Sequence, residues 1–217
     1  MPELPLLIVQ NREFVKSELV LGGQKSGKSR WAEERTRAWL DISPEHSAVL
    51  IATAHTGDDE MRQRIARHQA DRAERVPSML TVEEPVRIAQ AISTHSRPHA
   101  LVVVDCLTLW LTNLLMPASE QILEQPTMAG VSGFSDLNMP KTLLYSAQAA
   151  TLFVAITQAA GPLVLVSNEI GLGVIPLGRD VRAFVDTLGK LNQDVAQVCE
   201  RVTFMAAGLP LTLKGAL

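Results

Sequence analysis

The sequence predicts an α/β fold, a mainly parallel β-sheet flanked by helices on both faces and finished by a short C-terminal strand pair. Short continuous apolar runs at 19–21, 48–53, 100–104 and 163–166 suit strands buried on both faces of such a sheet. Segments of helical length separate them, as the crossovers between parallel strands require. The first run leads into Gly22-Gly23-Gln24-Lys25-Ser26-Gly27-Lys28-Ser29 and then into a helical stretch, so a glycine-rich loop joins a strand to a helix.

At 217 residues the chain suits one sizeable domain, read as 18–217, preceded by an extension over 1–17. The 20 basic and 23 acidic residues leave a net charge of −3, which excludes a global field for nucleic acid or an acidic membrane surface. Cys106 and Cys199 have neither disulfide-framework nor zinc spacing. Apolar stretches are interrupted at Asp105, and at Gln158 with Gly161-Pro162, so no membrane span is expected. The N-terminus lacks a signal-peptide pattern, and a reducing cytoplasm is the expected location. There is no internal repeat or low-complexity tract.

In chain order, a helix is expected at 29–40, broken before Pro44, followed by the strand at 48–53. Thr56, with Asp59 three residues on, reads as the N-cap of a helix reaching about residue 73. A short strand at 80–83, a helix at 85–95, a strand at 100–105 and a helix at 108–115 follow. Pro117, Pro126, Gly130, Gly133 and Pro140 make 116–140 a long loop. Then come a helix at 141–160, a strand at 163–167, a turn at 168–176, a helix at 178–199, and strands near 202–206 and 211–214. In a sheet of this kind ligands sit at the carboxyl ends of the strands.

The loop at 22–29 fits the G-x-x-x-x-G-K-[ST] pattern of a nucleoside triphosphatase-like phosphate-binding loop. Its backbone N–H groups would cradle phosphate oxygens, Lys28 would reach the β- and γ-phosphates, and Ser29 would ligate Mg²⁺. Asp105 ends an apolar strand, where a second metal-side carboxylate is expected; a strand-end or capping aspartate is the plainer reading. The N-K-x-D element of switch GTPases is missing, and Asp105 does not open a D-x-x-G. On the helix after Thr56, Met61, Ile65 and His68 share a face, and Arg62, Arg64, Arg67 and Arg72 surround it with positive charge. A histidine kept neutral by arginines can act as a nucleophile, but from the residues alone a structural histidine on a solvated basic helix is the leading reading. Glu83 and Glu84 suit either a ribose contact or a helix cap, and Asn168 and Glu169 suit either a substrate role or a turn.

Together these segments resemble the bifunctional adenosylcobinamide kinase/adenosylcobinamide-phosphate guanylyltransferases of cobalamin synthesis. The resemblance runs from about residue 18 to 214. It rests on Gly22 to Ser29 with Arg30, on Ala52-Thr53-Ala54, and on Asp58-Asp59-Glu60-Met61 with Arg64-Ile65 and His68. It rests further on Asp105-Cys106-Leu107-Thr108 with Trp110-Leu111-Thr112-Asn113-Leu114-Leu115, on Ser167-Asn168-Glu169-Ile170-Gly171-Leu172-Gly173-Val174-Ile175-Pro176, and on Phe184, Asp186, Gly189 and Asn192-Gln193.

The resemblance implies phosphorylation of the aminopropanol hydroxyl of adenosylcobinamide by ATP or GTP. It then implies GMP transfer from GTP through a guanylyl-histidine, giving adenosylcobinamide-GDP and pyrophosphate. It implies His68 as that nucleophile, Lys28 as a catalytic residue, and Ser29 and Asp105 as Mg²⁺ ligands. The nucleotide site would be lined by Gly22, Gly23, Gln24, Lys25, Ser26, Gly27, Lys28, Ser29, Ala52, Thr53, Ala54, Gln69, Ala70, Asp71, Arg72, Glu83 and Asp105. It also implies a homotrimer. The chain departs from the family pattern in the length and Pro/Gly content of 116–140, in residues 1–17, and in Arg67, which stands where a second histidine can occur. No catalytic base for the kinase step is evident. A phosphate-loop small-molecule kinase with a structural His68, and a nucleotide-binding regulatory module, are the alternatives.

Overall fold

The computed structural model describes residues 14–54, 59–116 and 141–215. Seven strands form one sheet in the order β3-β2-β4-β5-β1-β6-β7. They are β1 (Ser17–Gly22), β2 (Ser47–Ala52), β3 (Leu80–Glu83), β4 (Ala100–Asp105), β5 (Leu163–Val166), β6 (Arg201–Ala206) and β7 (Leu209–Lys214). Strands β1 to β6 pair in parallel, and β7 closes the edge as the antiparallel partner of β6. Pro210 falls on β7, at the sheet edge, where a missing N–H is tolerated.

The helices are α1 (Lys28–Leu40), α2 (Asp59–Arg75), α3 (Ile88–His95), α4 (Leu107–Leu115), α5 (Lys141–Gln158) and α6 (Arg179–Val198). Alternation along the strands feeds two apolar layers. Leu19, Leu21, Val102, Val104, Leu163 and Leu165 pack with α3, α4, α5 and α6. Val20, Leu101, Val103, Val164 and Val166 pack on the opposite face with Ala32 and Trp39 of α1. This two-sided burial is why the strand sequences are continuously apolar rather than alternating. It also fixes a direction: Asp105 shares the parity of Leu101 and Val103, so its carboxylate emerges on the α1 side.

The helix expected from residue 85 starts at Ile88 instead. Glu84 Oε1 accepts hydrogen bonds from the N–H groups of Val86 (3.0 Å) and Arg87 (2.8 Å), holding those residues in a capping turn. Of the two adjacent glutamates, Glu84 therefore takes the capping role. The expected N-cap Thr56 and most of the 116–140 loop, residues 117–140, lie outside the described residues.

Helix α1 is pinned to the sheet by a buried polar cluster. Glu18 on β1 accepts hydrogen bonds from Trp31 Nε1 (3.0 Å) and Thr203 Oγ1 (2.7 Å) and pairs with Arg35 Nε at 3.3 Å. Phe14 stacks edge-on against Trp39, 5.2 Å between centroids, and the Arg35 guanidinium lies 4.4 Å above its ring. Burial lowers the Arg35 pKa, and the nearby Arg201 charge adds to that effect while Glu18 opposes it.

Candidate active site

The turn after β1 is built to present backbone rather than side chains. Gly22 has φ +150°, and a Cβ there would lie 2.4 Å from the Met205 carbonyl oxygen and 2.6 Å from Ser26 Oγ. Gly27 caps α1 at φ +104°, in the left-handed region, and a Cβ on it would sit 3.1 Å from Gly208 Cα in the β6–β7 turn. Gly208 N–H donates to the Ser26 carbonyl at 3.0 Å, so the C-terminal hairpin braces the loop from behind. This explains the hairpin's place in the fold: β6 pairs beside β1 and carries its turn to the phosphate loop.

Lys28 is 8% exposed, and its ammonium folds back to donate to the Gly23 carbonyl at 2.6 Å. Among the described residues, Ser26 Oγ is buried with no hydrogen-bond partner. A glycine-rich turn with a lysine ammonium folded over it at a helix N-terminus fits an anionic oxygen. Ser29 Oγ donates to Asp105 Oδ2 at 2.8 Å. Adjacent oxygens around an octahedral magnesium are about 2.9 Å apart, given metal–oxygen distances of about 2.05 Å, so this pair has the chemistry and spacing of two neighbouring Mg²⁺ ligands.

Thr53 has a structural task. It is fully buried, and its hydroxyl donates to the Cys106 carbonyl and accepts from the Cys106 N–H, both at 2.7 Å. Asn113 Nδ2 in turn donates to the carbonyls of Thr53 (2.9 Å) and Pro85 (3.0 Å). The ends of β2 and β4 are thus locked together next to Asp105. We expect Thr53→Val to keep the shape but leave the buried Cys106 N–H without a partner, while the Cys106 carbonyl keeps the Trp110 N–H at 3.1 Å, costing about 2 kcal/mol in urea unfolding. Displacing Asp105 should also lower turnover by about 10-fold to 100-fold. A variant with unchanged turnover would show that Asp105 is held by other contacts. Burial, and then the Asp105 charge, pushes the Cys106 thiol up to about 12, and burial does the same for Cys199.

A second latch forms after β5. Ser167 Oγ donates to Asn192 Oδ1 at 2.7 Å, and Asn192 Nδ2 donates to the Asn168 carbonyl (3.0 Å) and Glu169 Oε2 (3.3 Å). Asn168 donates its backbone N–H (2.9 Å) and Nδ2 (3.2 Å) to Thr108 Oγ1. Glu169 N–H donates to the Gly22 carbonyl at 3.1 Å, joining this turn to the phosphate loop. The positioning roles of Asn113, Thr108 and Asn192 are absent from the sequence reading. One signal for Asn192 exists: it is a polar residue buried on the apolar face of α6 between Leu188 and Val195.

Of the other sequence candidates, Ala52, Ala54 and Glu83 lie at the same carboxyl edge, and Gln69 to Arg72 lie in the second half of α2. Ala52 ends β2, Ala54 lies two residues beyond it, and Glu83 is exposed on the outermost strand, in register with Ala52. Gln69 and Ala70 on α2 are exposed, while Asp71 and Arg72 are half-buried. Arg75 ties α2 to α1 through Glu33 at 2.8 Å. His68 belongs to α2, but its side chain, like those of Glu60, Met61 and Arg64, lies outside the described residues. No helix among the described residues is long and apolar enough to cross a membrane.

Over residues 18–213 the sequence matches the family described as cobinamide kinase / cobinamide phosphate guanyltransferase, CobU. The chain belongs to this family. It is 41% identical over 199 residues to the bifunctional adenosylcobalamin biosynthesis protein CobP of Pseudomonas aeruginosa, covering 91% of this chain and 97% of that one. It is 30% identical over 196 residues to the bifunctional adenosylcobalamin biosynthesis protein CobU of Escherichia coli, covering 90% of this chain and 98% of that one. Among solved structures, flagellar accessory protein FlaH from Methanocaldococcus jannaschii aligns with 92% of this chain and 78% of its own at TM-score 0.46 and 10% identity. As a member of the CobU family, the chain is a nucleotide-using kinase and nucleotidyltransferase of cobalamin biosynthesis.

Proposed function

We propose that this protein phosphorylates adenosylcobinamide with ATP or GTP and then transfers GMP from GTP to adenosylcobinamide phosphate through a guanylyl group on His68. The observation that carries this reading is the Ser29–Asp105 contact at 2.8 Å beside the folded-in Lys28, in a chain that matches the bifunctional family over nearly all its length. Ser29 and Asp105 would hold Mg²⁺, which would neutralise charge on the β- and γ-phosphates. Gly22 to Ser29 would bind the phosphates through backbone N–H groups, and Lys28 would stabilise charge developing on the transferred group. Ala52, Ala54, Gln69 to Arg72 and Glu83 would complete the nucleotide site, whereas Thr53, expected there from the resemblance, is fully buried and braces Cys106 instead.

In the second reaction a bond forms between a His68 imidazole nitrogen and the α-phosphorus of GTP as pyrophosphate leaves. The cobinamide phosphate oxygen then displaces the histidine, regenerating it. Splitting one transfer into two steps through a histidine needs an imidazole that is neutral at working pH. The enzyme is proposed to work in the cytoplasm as a homotrimer, with no nucleic-acid partner.

The test is incubation with Mg²⁺ and GTP labelled on the α-phosphate, followed by denaturation and peptide mapping. Acid-labile, alkali-stable label is expected on the peptide containing His68. His68→Ala should lose the label and retain phosphorylation of cobinamide. Label on another residue, or none with nucleotide still bound, would overturn the histidine route and favour a simple kinase.

A further inference from the structure

We infer that Glu169 accepts the proton of the cobinamide hydroxyl in the kinase step, and that the groove along α6 on either side of Gly189 holds the corrinoid. This rests on the proposed function and assigns its acceptor site. Glu169 follows β5, the strand between β4 and β1, so it sits on the carboxyl edge between Asp105 and the phosphate loop. Its backbone is bonded to Gly22 at 3.1 Å, and its carboxylate is oriented by Asn192 at 3.3 Å. The same carboxylate opens into a cavity of about 330 Å³ walled by Leu21, Ala196, Val202 and Leu213.

A second cavity, of about 390 Å³, lies nearer the N-terminal end of α6, beneath the 170–176 loop. Gly189 and Gln193, one turn apart on the same face of α6, line both, so the two hollows meet along that face at a residue with no side chain. A Cβ at Gly189 would have nothing within 4 Å, so this mid-helix glycine is not required by packing. It costs helix stability relative to alanine and leaves the groove open. Over the second cavity Val174, Ile175 and Leu177 are 95%, 77% and 97% exposed, an apolar rim on a loop anchored by Arg182 Nη1 to the Pro176 carbonyl at 2.9 Å. Arg182, Asp186 and Lys190 add polar groups to that cavity. An apolar wall with a polar fringe suits a macrocycle with apolar faces and amide arms, whose hydroxyl-bearing arm would reach toward Glu169.

In the step itself the acceptor oxygen forms a bond to the γ-phosphorus, and the bridging bond to the β-phosphate breaks. The nucleoside diphosphate leaves, and the hydroxyl proton passes to the Glu169 carboxylate and from there to water.

The experiment measures both activities in the wild type and four variants, with cobinamide as varied substrate. Glu169→Gln is expected to lower kinase kcat by about 100-fold while GTP still labels the His68 peptide at the wild-type level, which also reports folding. Glu169→Asp should recover part of that loss. Gly189→Ala should raise the thermal midpoint by about 2–4 °C, as relief of a mid-helix glycine predicts, and still raise KM for cobinamide. Gly189→Leu should raise that KM by more than 10-fold with KM for nucleotide unchanged.

Wild-type kinase kcat in Glu169→Gln would overturn the proton-acceptor role. Wild-type cobinamide KM in Gly189→Leu would overturn the groove. Wild-type protein that neither phosphorylates cobinamide nor takes label from GTP would instead overturn the functional reading beneath both.

Discussion

Asp105→Asn is expected to lower both phosphoryl and guanylyl transfer by about 1,000-fold while leaving the protein folded. The substitution keeps the size of the side chain and an oxygen able to accept from Ser29 Oγ, now 2.8 Å away, but removes the charge that would hold a divalent cation. Loss of metal-centred charge stabilisation is worth several kcal/mol, and each 1.36 kcal/mol is tenfold in rate, which sets the scale. Ser29→Ala removes only a neutral ligand, so its loss should be smaller. If both residues serve one cation, the double variant should be scarcely worse than Asp105→Asn alone, because the energies of groups acting on one ligand do not add. Steady-state rates at several magnesium concentrations check this. A fall in only one activity would mean that the two reactions use separate nucleotide sites, and an unchanged magnesium dependence would remove Asp105 from the metal.

The part of this arrangement visible in sequence is the part encoded locally. The loop at 22–29 has its glycines and lysine in consecutive positions, and the run at 100–104 is apolar throughout because both faces of β4 are covered. Parity along β4 then puts Asp105 on the side of α1, so its meeting with Ser29 follows from two local facts and one crossover. The family turn at 168–176 was visible as a pattern, but not as a geometry. Asn192, Asn113 and Thr53 act across 24, 60 and 53 residues of chain, and no spacing rule says which backbone groups they will find. The late start of α3 at Ile88 has a related reason: a side chain, Glu84, competes for the N–H groups that would otherwise begin the helix. Glu169 stayed ambiguous because its position between two functional strands depends on β5 inserting between β4 and β1, a matter of strand order rather than of sequence.

Glu18 was equally hidden, and its replacement carries the largest expected cost in stability. Read as sequence, Ser17-Glu18 looks like a polar lead into a strand. In the fold Glu18 is 1% exposed and is the carboxylate that pairs with Arg35, with Arg201 close enough to bear on the same charge. Glu18→Ala removes that carboxylate from a buried guanidinium and takes the acceptor away from Trp31 and Thr203. Breaking a buried pair from one side costs about 3–5 kcal/mol, mainly through the charge left without its partner in low dielectric. Glu18→Gln keeps an oxygen for Trp31 and Thr203 and should recover part of the loss. Glu18→Ala combined with Arg35→Leu should recover more, because an apolar replacement removes the uncompensated charge itself. Urea unfolding of the four proteins separates these contributions. The double variant falling below Glu18→Ala would show that Arg35 stabilises α1 through Phe14 and its own packing more than through the ion pair. Since α1 carries Lys28 and Ser29 at its first turn, a loosened helix should also weaken nucleotide binding, linking a residue at the base of the sheet to the loop at its top.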